Sequence, residues 1–137
     1  MSQQGPPGLI LSDDMVRVEK DWGYEIWITN GDLYCGKILF MRKGEWCSYH
    51  RHKIKDEVLY VQCGKIQMNH EGNDGFPVDL VMEQGSAFHV VPEMRHQMYA
   101  LENTFIIEFS TQHFDEDSYR ETRDLVVEVI KDKWENK

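Results

Sequence analysis

Long apolar runs are missing from this sequence. Leu9-Ile10-Leu11, near the N-terminus, is three residues long and follows no basic segment. A membrane span needs about 20 apolar residues, so no membrane partner is expected, and without a leader the chain is expected to be cytoplasmic. Cysteine is scarce as well. Cys35, Cys47 and Cys63 are odd in number and show no C-x-x-C spacing, which argues against a disulfide framework and a thiolate zinc site. They read as small buried apolar side chains. Positive charge is also in short supply: the net charge is −9, with no basic block. A polyanion would be repelled, so nucleic acid is excluded as a partner. Lys37, Arg51, Lys53, Lys55 and Arg95 still leave room for a small phosphorylated substrate.

What is present is a steady rhythm of short strands. At 137 residues the chain suits a single core. Residues 1–15, with Gly5-Pro6-Pro7-Gly8, read as a flexible arm. Residues 16–114 alternate apolar and polar with period two, and Trp22, Tyr24, Ile26 and Ile28 are expected to share one face. Breakers at Asn30-Gly31-Asp32, Lys43-Gly44, Gly64, residues 71–75, Gln84-Gly85 and Pro92 separate the strands. Such spacing predicts an all-β antiparallel sandwich or barrel. In the tail, residues 115–137, Asp115-Glu116-Asp117 precede Ser118, and Leu125, Val126, Val129, Ile130 and Trp134 recur at helical spacing. This predicts a short C-terminal helix from about Ser118 to Lys133. Its β-branched residues leave a strand as the rival reading.

The chemistry concentrates between Gly44 and Gly64. His50 and His52 stand two apart in an expected strand, so they share a face and can converge on one ion. Glu57 opens the next strand; if the chain turns through Lys53–Asp56, it supplies a hard oxygen beside two borderline nitrogens. A turn at Pro92 can deliver His96 against them once a barrel closes.

These residues resemble the cupin superfamily. Gly44, His50, His52, Glu57 and Gly64 fit the first cupin motif, G-x5-H-x-H-x4-E-x6-G, at every fixed position, and His96 falls eleven residues after Gly85, as the second motif requires. The second motif's first proline, its glycine and its asparagine are here Val91, Glu93 and Ala100. The resemblance implies a single-domain cupin jelly-roll β-barrel with His50, His52, Glu57 and His96 as ligands of one divalent metal, Zn, Mn or Fe. Residues 18–120 are further similar to the C-terminal cupin domain of type II mannose-6-phosphate isomerases, through Val18-Glu-Lys-Asp-Trp-Gly-Tyr-Glu25, Lys37-Ile-Leu-Phe-Met-Arg-Lys-Gly44 and Ile107-Glu108-Phe109. That likeness implies a sugar or sugar phosphate substrate and a homodimer.

Such a metal leaves open positions for two adjacent substrate oxygens, which suits aldose–ketose isomerisation through an enediol. An Fe(II)-dependent dioxygenase and a non-catalytic sugar-binding or regulatory cupin are the alternatives. Isomerisation needs a general base. Lys37 and Glu108 are charged among apolar neighbours, with mutual pairing as the rival role, and His89 is the third candidate, although its alternation with Phe88 and Val90 points it outward. Trp46 and Ser48 share the His50 face and are candidate substrate contacts, Trp46 by stacking on a sugar ring or simply as core. Arg95, beside His96, is a candidate phosphate ligand or a rim ion pair.

Overall fold

A computed structural model describes residues 7–120. Among the described residues, eleven strands run Val16–Lys20 (β1), Gly23–Asn30 (β2), Cys35–Met41 (β3), His50–Arg51 (β4), Glu57–Cys63 (β5), Lys65–Glu71 (β6), Pro77–Glu83 (β7), Ala87–Val90 (β8), His96–Ala100 (β9), Thr104–Ser110 (β10) and Tyr119–Arg120 (β11). They form a six-stranded sheet in the order β1-β2-β3-β10-β5-β8 and a five-stranded sheet in the order β11-β4-β9-β6-β7. Every pairing is antiparallel. This is the jelly roll of the cupin fold.

Period-two sequence becomes period-two burial. β3 throughout, and β5 from Glu57 to Val61, alternate between buried and half-buried residues, because successive side chains point to opposite faces of the pleat. Leu39, Met41, Leu59, Val61, Ile66, Met68, Met82, Val90, Met98, Ala100 and Ile106 fill the space between the sheets. Gly64, at the β5–β6 turn, adopts φ 101°, and a Cβ there would collide with Thr104. Only glycine fits that close approach.

Two local expectations change. Trp22 does not continue the face of Tyr24 and Ile26: it occupies the two-residue β1–β2 turn, since Lys20 pairs with Gly23, and packs against the core. The helix expected from Ser118 does not begin there, because Tyr119 and Arg120 pair as β11 with Arg51 and His50. These pairings give the edge of the short β4 a ladder partner, which outweighs local helix capping. The rest of the expected helix lies outside the described residues.

Glu93, which replaces a motif glycine, keeps the glycine conformation. Its φ is 74°, a left-handed geometry that costs a residue with a Cβ about 1–2 kcal/mol. Its N–H donates to the His52 carbonyl at 2.6 Å, and its carboxylate lies 3.5 Å from Arg51. The turn beside the expected ligands is therefore preserved without the glycine.

Candidate functional site

Both sheets contribute to one cluster. β4 carries His50, with His52 just beyond it; β9 opens on His96, directly opposite His50 in register. Glu57 opens β5 in the other sheet. One nitrogen from each of His50, His52 and His96 lies within 4.8 Å of the others, so the three histidines can hold a metal ion. Glu57 Oε1 lies 3.3 Å from His96 Nε2, and Oε2 lies 4.0 Å from His52 Nε2. The four residues expected as ligands are thus brought together.

The histidines are oriented by main chain. Nδ1 faces the Ser48 carbonyl in His50 (2.7 Å), the Asp117 carbonyl in His52 (2.7 Å) and the Met94 carbonyl in His96 (3.1 Å). A carbonyl only accepts, so each Nδ1 carries the proton, and Nε2 of a neutral ring keeps its lone pair for the cluster. Burial, reinforced by His96, pushes the His50 pKa down to about 3. Burial, and then the Lys55 charge, lowers that of His52. At His96, the Nε2 lone pair would face the Glu57 carboxylate, acceptor against acceptor. A proton or a metal cation is needed between them, so this donor set fits a divalent ion of nitrogen-and-oxygen preference.

Lys55 stands behind Glu57. It is buried, with Nζ 3.0 Å from Glu57 Oε2 and 3.2 Å from Glu108 Oε2. Burial alone would raise the Glu57 pKa, but the hydrogen bond with His96 and the Lys55 charge outweigh it and hold Glu57 below the carboxylate range. Burial raises the pKa of Glu108, and the nearby Glu57 charge adds to the rise. Burial would lower that of Lys55, but Glu57 and Glu108 together raise it.

These groups line one cavity of about 630 Å³, the size of a small-molecule site. Lys37, Glu108, Trp46 and Ser48 all border it. Lys37 and Glu108 are opposite in register on β3 and β10, yet each has its own partner. Lys37 Nζ lies 3.4 Å from Glu25 and 4.3 Å from the Trp27 ring centroid, while Glu108 takes Lys55 and the Ser110 hydroxyl (2.9 Å). The Trp46 ring stacks on Tyr99 at 6.3 Å.

Two candidates fall outside. His89 is 56% exposed on the outer face, with Nε2 2.6 Å from Asp56, because its neighbours Phe88 and Val90 point inward. Arg95 does not line the cavity; its guanidinium is 3.0 Å from Glu71, since a residue next to an inward His96 points away. Sequence reasoning missed Glu25, His113 and Asp117, and took Lys55 only as one of the basic residues that could meet a phosphate. No periodicity marks Lys55, because it lies in the turn before β5, whose N–H groups are held by Asp117.

Fold and candidate metal centre together place this chain among proteins with the cupin jelly roll. It is structurally similar to the capsular polysaccharide assembling protein CapF from Staphylococcus aureus, at TM-score 0.67 and 16% identity over 77% of this chain and 32% of CapF. It is similar to KdgF from Halomonas sp., at TM-score 0.66 and 18% identity over 77% and 95%, and to oxalate decarboxylase from Bacillus subtilis, at TM-score 0.71 and 15% identity over 90% and 35%. The likeness at these identities is one of fold, and the chain spans about a third of the CapF and oxalate decarboxylase chains. No protein-family model matches the sequence, and no curated protein matches it by sequence. No helix among the described residues is long and apolar enough to cross a membrane.

Proposed function

We propose that this protein is a metal-dependent enzyme acting on a small sugar or sugar phosphate, and that the reaction is aldose–ketose isomerisation. One observation carries the reading: Glu108, a buried carboxylate with a raised pKa, borders the same cavity as the histidine cluster. A buried carboxyl group whose pKa is raised can both take and return a proton. Glu108 removes the proton from the hydroxyl-bearing carbon beside the carbonyl. The freed C–H electron pair becomes the C=C bond of an enediol as the carbonyl oxygen takes a proton from water; Glu108 then returns its own proton to the former carbonyl carbon, while the other hydroxyl gives its proton to water and closes to a carbonyl. A divalent ion held by His50, His52, His96 and Glu57, whether Zn, Mn or Fe, supplies Lewis acidity toward two adjacent oxygens when bound. Lys55 holds Glu108 in place, and Lys37 with Glu25 offers hydrogen bonds to further hydroxyls. That CapF is a capsular polysaccharide assembling protein agrees with a carbohydrate substrate.

The test is solvent-deuterium exchange, followed by NMR, on a panel of free and phosphorylated sugars with Mn²⁺ or Zn²⁺ added. Exchange and interconversion that are lost in Glu108→Gln, while metal binding remains, are the expected result. Oxygen consumption with Fe²⁺ and no exchange would overturn it in favour of a dioxygenase. Saturable sugar binding with neither reaction would leave a sensor.

We also propose a homodimer. The outward positions of the six-stranded sheet carry Ile26, Ile38, Phe40, Phe105, Ile107 and Phe109, none of them buried, and Phe109 is 56% exposed. Six strands about 4.8 Å apart and four to eight residues long present a face of roughly 500 Å² in projection, a large part of the ~800 Å² that each partner contributes to a standard interface. Ile107→Lys should give a monomer in light scattering; a parent protein that is already monomeric would overturn this.

A further inference from the structure

The turn between His52 and Glu57 has no regular structure, and its shape depends on one residue far along the chain. Asp117 is buried, at 3% exposure. Its carboxylate accepts the N–H groups of Lys53 (2.9 Å), Ile54 (3.2 Å to each oxygen) and Lys55 (3.0 Å). Three consecutive N–H groups converging on one carboxylate form an anion nest built of charge-assisted hydrogen bonds. The Asp117 carbonyl accepts the Nδ1–H of His52 at 2.7 Å. Side chain and main chain of one residue therefore act on the same ligand loop.

The nest fixes which way the loop's side chains point. Lys53 and Ile54 are exposed, whereas Lys55 is buried against Glu57 and Glu108. Asp117 is itself anchored: its N–H donates to the Phe114 carbonyl at 3.0 Å, and Tyr119 and Arg120 pair with Arg51 and His50.

We propose that Asp117 is a positioning residue for the metal centre, its carboxylate setting the span between His52 and Glu57 and its carbonyl aiming the His52 ring. This rests on the reading of His50, His52, Glu57 and His96 as ligands. Groups that orient metal ligands are worth about 10–100-fold in metal affinity.

Titration of the purified chain with Co²⁺, followed by visible absorbance well below the unfolding temperature, tests it. Asp117→Asn, which keeps one acceptor oxygen, should raise the Kd about 10-fold, and Asp117→Ala by up to about 100-fold, each with an altered cobalt spectrum. Thr104→Ala is the control. Thr104 is buried, and its hydroxyl bonds the main chain of Lys65 at the start of β6, away from the site, so this variant should lose stability yet keep the parent Kd and spectrum. Asp117 variants with parental Kd and spectrum, whatever their melting temperature, would overturn the proposal and make the residue merely structural. If Asp117→Ala does not fold, Asp117→Asn decides. A parent chain that takes up no Co²⁺, or a His50→Ala chain that still does, would overturn the ligand reading itself, a different failure.

Discussion

The two ends of the barrel are built by the same strands and have opposite chemistry. On β3 the inward positions run from Lys37 to Leu39 and Met41, on β5 from Glu57 to Leu59 and Val61, on β9 from His96 to Met98 and Ala100, and on β10 from Glu108 back to Ile106 and Thr104. Antiparallel register then collects like with like. Lys37 stands opposite Glu108, and Ser110 opposite Glu57, at one end; Leu39 stands opposite Ile106 two rungs on. One end is a hydrocarbon plug and the other a cluster of buried charge. Burial of the plug stabilises by about 25 cal/mol per Å², while each buried ion costs several kcal/mol before pairing. The plug is what makes the polar end affordable.

The largest effect should come from unbalancing the polar end. Lys55→Met leaves Glu57 and Glu108 without their shared cation and should cost about 3–5 kcal/mol in urea unfolding. A divalent ion should recover part of that loss by neutralising Glu57, and a second change, Glu108→Leu, should recover part without metal. A neutral Lys55→Met would mean that pairing does not organise this end.

Ile106→Ala probes the other end and should cost about 2–5 kcal/mol through lost burial and a cavity, with metal stoichiometry unchanged. If that variant also lost metal, the two ends would be mechanically coupled and the comparison would break.

Acid should distinguish the ends next. The folded-state pKa of His50 is about 3 against 6.5 unfolded, and those of His52 and His113 are also lowered. Below 6.5 the unfolded chain binds protons that these folded rings refuse. Their contribution to the metal-free protein is therefore complete above pH 6.5 and is lost as the pH falls toward 3. Glu108 works the other way: its raised pKa makes the folded state take up a proton first as pH falls. Urea unfolding between pH 8 and 5 should show declining stability, steeper in Glu108→Gln and with the parental slope in Ile106→Ala.

Much of this division was legible in the sequence because it follows parity. His50 and His52 stand two apart, so the pleat put them on one face with Trp46 and Ser48, whereas Lys37 and Glu108 stood out only as charged positions among apolar neighbours. Glu25 was hidden because Trp22 was counted on the Tyr24 face, whereas the tight turn at Asp21-Trp22 resets the phase. His113 and Asp117 follow the last long strand, where no periodicity marks an inward residue; they are held by individual hydrogen bonds to Asn30 and to the 53–55 turn. The helical spacing of the tail gave no sign of β11, because strand pairing with His50 and Arg51 is a tertiary contact.

The smallest effects belong to His89 and Arg95, which adjoin the site in sequence but not in space. His89 pairs with Asp56 in solvent and Arg95 with Glu71 at the rim; such pairs contribute about 0.2–1 kcal/mol. His89→Ala and Arg95→Ala should therefore shift stability by no more than that and leave Co²⁺ affinity at the parental value. Arg95→Ala is the sharper of the two, because a guanidinium that reached substrate would bind phosphate. A KM raised for phosphorylated sugars but not for free ones would extend the polar end to the rim. Equal KM values for both would confine recognition to residues whose parity points them into the barrel.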